Sequence, residues 1–117
     1  MSMEVRETEA VVRFSAESAT VYFSGALRLA NVKAYDNVAK LLHEAAAAVG
    51  SSPLVLDFKE LKFLNSSGIT ALSLFVVGAR KAGTPHLKLI GSKATAWQQK
   101  SLANFQMLWK EIPLVIE

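Results

Sequence analysis

The sequence predicts a single α/β domain over residues 1–117, with a mixed β-sheet of about five strands and helices packed mainly on one side. Three observations predict it. The chain has 117 residues and is 51% apolar, which suits one hydrophobic core and is too apolar for disorder. Two short β-prone runs near the start have the spacing of a hairpin. After them, helical and strand patterns alternate, and alternating units pair their strands in parallel through right-handed crossovers.

Val11–Phe14 and Thr20–Ser24 are the β-prone runs, joined by SAES, and Gly25 closes the second. Ala26–Val32 reads as a connector. Tyr35, Val38, Ala39, Leu42, Ala45, Ala46 and Val49 follow the i, i+3, i+4, i+7 rule of an amphipathic helix, with Gly50 at its C-terminal cap. Leu54, Val55 and Leu56 form an unbroken apolar run that predicts a strand covered on both faces. Lys59–Leu64 reads as a loop pinned by two buried side chains, Leu61 and Phe63. Asn65, Ser66 and Ser67 suit the cap of a helix that runs to about Ala82, where Arg80 and Lys81 complement the dipole and Gly83 and Pro85 end it. Leu87–Ile90 is a further short strand. A last helix covers about Ala94–Ala103, capped by Ser92 or Thr95. Ile112–Ile116 is a strand that Pro113 confines to an edge or to its first residues.

Composition narrows the function. The formal charge of +3 comes without a basic block, which argues against nucleic acid as a partner. No cysteine is present, so disulfides and thiol chemistry are excluded, and a reduced cytoplasmic setting is expected. The start MSMEVRETEAVV lacks the apolar run of a signal peptide, and Ile69–Ala79 is too short to insert in a membrane. His43 and His86 have no partner at ligand spacing, so no metal site is expected. GxGxxG, GxxxxGK[ST] and GxSxG are all absent, and neither cofactor binding nor catalysis is expected. Asp57 reads as a charge at a strand end that bonds to nearby loop amides.

The segment Asn65-Ser66-Ser67-Gly68 admits two readings. One is helix capping by a serine hydroxyl. The other is phosphorylation, because the free amides and dipole of a helix N-terminus tolerate the added charge. Beside it, Leu72, Phe75, Val76 and Ala79 make a core stripe and leave Ile69, Ser73, Leu74 and Val77 over. In a small domain such a surplus forms a partner-binding patch or packs under neighbouring helices.

Leu54–Gly68 and the helix after it resemble the signature of STAS domains, particularly bacterial anti-sigma factor antagonists. In that signature an apolar strand ends in an acid, a loop carries Phe, and Asp-Ser-Ser-Gly opens a helix. The resemblance implies a regulatory protein that is not an enzyme. It implies binding to a serine kinase that is also an anti-sigma factor, release on phosphorylation of Ser66, and resetting by a PP2C-type phosphatase. Asn65, Ser67 and Gly68 complete the motif and helix cap, and Gly25, Arg28, Ile69, Ser73 and Val77 fall on the implied partner surface. Asn65 stands where the family has Asp, and Arg28 where it has Asp after Gly-x-Leu. These departures leave open a scaffold or binding subunit of a signalling or transport complex that is never phosphorylated. An anion or nucleotide site on the Ser66–Ile69 amides is a third possibility.

Overall fold

The computed structural model describes residues 2–117. Its strands are β1 (Ser2–Arg6), β2 (Ala10–Ser15), β3 (Thr20–Leu27), β4 (Leu54–Leu64), β5 (Leu87–Gly91) and β6 (Leu114–Ile116). Its helices are α1 (Asp36–Val49), α2 (Ser66–Ala82) and α3 (Ala96–Leu108), with a 3-10 turn at Val32–Tyr35 before α1. The six strands lie in the order β1-β2-β3-β4-β5-β6. The first three pair antiparallel and the rest pair parallel. The expected mixed sheet is therefore present, with six strands rather than about five.

Alternation along the strands sets the core. Val12, Phe14, Val21, Phe23, Leu54, Leu56, Phe58 and Leu89 point to one face and are buried. Phe58 stacks on Phe23 with ring centroids 4.5 Å apart. Above them α2 packs between α1 and α3. All three helices lie on this face, because each right-handed crossover steps the same way along the sheet. The other face carries Glu4, Arg13, Tyr22, Asp57, Ile90 and Val115 as one cross-strand row.

The strand β1 escapes sequence reading because only Met3 and Val5 are apolar in it, with Glu4 and Arg6 exposed between and after them. The β3 strand runs through Gly25 to Leu27. At φ +88° Gly25 lies so close to β2 that a Cβ would stand 2.1 Å from the Glu9 carbonyl oxygen. α3 begins two residues later than expected and continues to Leu108, where Phe105 and Trp109 add buried surface. β6 starts after Pro113, at Leu114.

The expected loop Lys59–Leu64 is part of β4. It pairs with β3 through two bulges, each placing one extra β4 residue opposite β3. On its other side it is a loop after all, since β5 pairs with β4 only over Leu54–Asp57. Side chains of α3 replace the missing strand. The fully buried Gln98 donates from Nε2 to the carbonyls of Phe58 (2.6 Å) and Leu61 (2.9 Å) and accepts from the Ser92 N–H at 2.7 Å. Trp97 Nε1 donates to the Lys62 carbonyl at 3.0 Å. Leu61 is buried as expected, but Phe63 is 41% exposed, because the second bulge turns it away from the core.

Candidate functional site

The end of β4 delivers Asn65 to the start of α2, and Asn65 organises that end of the molecule. Its Oδ1 accepts from the Gly68 N–H at 2.9 Å, capping the helix, and from the Tyr35 hydroxyl at 2.6 Å. Its Nδ2 donates to the Leu29 carbonyl at 2.8 Å, and its backbone N–H to the Leu27 carbonyl at 3.0 Å. The Tyr35 hydroxyl also accepts from the Leu29 N–H at 3.3 Å. One amide thus ties α2 to the segment that follows β3. An aspartate would keep the cap but lose the donor to Leu29.

The cap therefore belongs to Asn65 and not to a serine hydroxyl. Ser66, the first helical residue, is exposed, and Ser67 is half-buried. Gly68 is buried against Tyr35 and Leu64, where a Cβ would stand 2.4 Å from Leu64 Cδ1. No larger residue fits there without displacing the aromatic ring that holds Asn65.

The remaining expected surface residues divide between places. Ile69, Ser73 and Val77 are half-buried and share with Ser66 the flank of α2 that turns toward α3. On that flank Arg80 Nη1 donates to the Leu108 carbonyl at 3.0 Å. Leu74, 62% exposed, faces the other way, into a groove of about 220 Å³ between α2 and α1 lined by Val32, Tyr35, Ala39, His43 and Phe75. Gly25 serves the close approach of β3 to β2 and offers no side chain to a partner. Arg28 is exposed, 3.3 Å from a Glu9 carboxylate oxygen, with its guanidinium 4.8 Å from the centre of the Phe63 ring. The sequence points to Arg28 here but not to Phe63, whose alternation with Lys62 reads as a buried side chain pinning a loop.

The electrostatics at this end centre on Tyr35. Burial pushes its phenol above the usual 10.0, opposed by the Leu29 amide and reinforced by the charge of Glu7. Below pH 10 the phenol is protonated in both folded and unfolded chains. As pH rises past 10 the unfolded chain loses its proton first, so the stability of the fold falls toward the higher folded value. The stability difference between wild type and Tyr35→Phe should be constant from pH 7 to 9 and shrink above about pH 10. Urea melts across that range test it, and a constant difference would show that the phenol is not shielded from water.

Asp57 accepts from the Lys59 N–H at 3.0 Å, as expected of a carboxylate serving nearby amides, but it lies within β4 rather than at its end. Lys59 Nζ lies 3.8 Å from Asp57 and 3.1 Å from Glu117. Among the described residues, no group of three His, Asp or Glu is placed to hold a metal ion, and no helix is long and apolar enough to cross a membrane.

No family model matches the chain, and no curated protein sequence matches it. Solved structures do. SiaC of Pseudomonas aeruginosa is 19% identical with a TM-score of 0.70, covering 100% of this chain and 98% of that one. A crystal structure of the diguanylate cyclase SiaD in complex with its activator SiaC, from the same organism, matches with 19% identity and a TM-score of 0.71, over 97% of both chains. Apo-SiaC gives 16% identity and a TM-score of 0.66. At this identity the likeness establishes a shared fold: one α/β domain with a mixed six-stranded sheet and three helices, end to end.

Proposed function

We propose that this chain is a partner-binding regulatory domain of a signalling complex that performs no chemistry of its own and works in the cytoplasm. The observation that carries this reading is the exposed Phe63–Arg28 pair beside exposed Ser66, at the end of the sheet that Asn65 organises. An aromatic ring and an arginine are the residue types that dominate binding hot spots. The solved structures add support, since the neighbour SiaC is described as the activator of a diguanylate cyclase. By that likeness the partner is a signalling enzyme whose output the domain sets. A photo-crosslinker at position 63 in the native cell identifies the partner. The purified partner should then bind Phe63→Ala about tenfold or more weakly than wild type, as for loss of an interface anchor. Met107→Ala, at an exposed site on α3, should leave binding unchanged. Equal affinity of the Phe63→Ala variant would move the docking surface elsewhere.

The finer reading is a STAS-type switch in which Ser66 is phosphorylated by a serine kinase that is also the anti-sigma factor and reset by a PP2C-type phosphatase. It is supported by the exposure of Ser66 and by a cap that does not use its hydroxyl. A phosphate there meets the positive end of the α2 dipole. Phosphopeptide mapping of protein from its own cell should find the label on Ser66, and Ser66→Asp should weaken partner binding about tenfold, the scale of one charged contact. A label confined to another residue, or unchanged affinity, would discard the switch and leave the unmodified scaffold in place.

A further inference from the structure

The two edges of the sheet are not protected alike. β6 is three residues long and follows Pro113, which blunts it as a template for another strand. β1 is five residues long, pairs with β2 without a bulge and contains no proline. Its outer edge is defined by the hairpin. The Glu7 N–H donates to the Ala10 carbonyl, so Glu7, Val5 and Met3 turn their backbone groups inward to β2. Glu4 and Arg6 turn theirs outward. A strand that adds antiparallel to this edge must place its own outward residues opposite Glu4 and Arg6.

We propose that a second copy of this chain occupies the edge, β1 against β1 about a two-fold axis at Val5, so that two six-stranded sheets join into one. Charge selects this register. Parity allows Glu4 to face Glu4, Arg6 to face Arg6, or Glu4 to face Arg6 of the second copy. Only the last pairs opposite charges, and the symmetry makes it twice. Within one chain Arg6 Nε already lies 2.6 Å from a Glu4 carboxylate oxygen, so both side chains share the exposed face of the sheet. In the dimer each gains an opposite charge directly across on the second copy, in addition to its neighbour on its own strand. On the helical face Val5 meets Val5 of the second copy as a non-hydrogen-bonded pair, covering apolar surface that is half-buried in one chain. A groove of about 380 Å³ between β1 and α1 runs beside it. Lys40 and Glu44, one helical turn apart, line that groove with opposite charges on the side from which a second copy would approach.

The proposal does not depend on the Ser66 end of the molecule. Sedimentation of the full chain at about 100 μM, which populates a dimer of micromolar Kd, should give twice the 12.7 kDa chain mass. Arg6→Glu and Glu4→Arg should each weaken association about tenfold or more, because each sets like charges opposite. An equimolar mixture of the two variants should dimerise again, as should the double variant. The chain has no native cysteine, so Val5→Cys should form a covalent dimer on mild oxidation, whereas Arg6→Cys should not. A monomeric wild type, single variants that stay dimeric, or a mixture that stays monomeric would each overturn the proposal. So would a Val5→Cys chain that does not cross-link. An edge that takes an unrelated extended peptide while the chain stays monomeric gives the first of these results.

Discussion

Gln98→Met should lower stability by about 3 kcal/mol or more, because it leaves the carbonyls of Phe58 and Leu61 and the N–H of Ser92 without partners at about 1–3 kcal/mol each. Methionine matches glutamine in length and has no branch, so packing is nearly preserved and polar satisfaction is what changes. Every buried side-chain polar atom among the described residues has a partner, so no spare group can step in. In a chain of this size the loss corresponds to a fall in Tm of about 10–15 °C. Trp97→Phe, which removes the bond to the Lys62 carbonyl and part of the ring's packing on the core, should cost about 1–2 kcal/mol. Thermal melts of the two variants decide the matter. A Gln98→Met protein that melts with the wild type would mean that water, not α3, serves the outer edge of β4.

Asn65→Asp should cost about 2–3 kcal/mol at neutral pH, although aspartate caps helices as well as asparagine does. The cap and the bond from Tyr35 survive, since both use an oxygen that aspartate also has. The bond to the Leu29 carbonyl does not, and a carboxylate oxygen would lie where an amide nitrogen now lies 2.8 Å from that carbonyl. Two opposed effects compete. A negative charge at the start of α2 gains about 0.3–1 kcal/mol from the dipole, which is less than the repulsion and lost bond together. Urea denaturation measures the balance, and an Asn65→Asp protein as stable as wild type would show that the Leu29 bond contributes nothing. Function should follow structure here. The Leu29 segment leads away from Arg28, so releasing it alters the Arg28–Phe63 pair as well as the helix start.

Much of this architecture was legible in the sequence, and the reasons are specific. α1 and α2 announce themselves through apolar periodicity that tertiary packing then uses, since Val38, Leu42, Ala45, Leu72, Phe75 and Val76 are all buried. β1 was not legible because its inward positions are only Met3 and Val5. The far half of β4 misleads for a different reason. Two bulges disturb the alternation by one residue each, so Leu61 and Phe63, which a regular strand would turn to the same side, end up buried and exposed. The candidate site was legible in outline through Asn65-Ser66-Ser67-Gly68. The division of labour within it was not, because Asn65 is committed by contacts with Leu29 and Tyr35, both more than 29 residues away along the chain. Nothing about Gln98, one of two adjacent glutamines in a weakly amphipathic segment, marks it as fully buried.

The sheet order has a consequence for synthesis. Each strand lies beside the strand made just before it, so a chain leaving the ribosome can lay down its sheet in the order of translation. No strand has to wait for a distant partner or be inserted between two that already stand together. Closures of this kind span short lengths of chain and carry a small entropic cost. One piece departs from that order. The carbonyls of Phe58 and Leu61 acquire their partner only when Gln98 arrives, 40 and 37 residues later. The stretch of β4 that presents Asn65 and Ser66 is thus among the last parts of a nascent chain to be fixed, and a partner that reads it meets a finished domain.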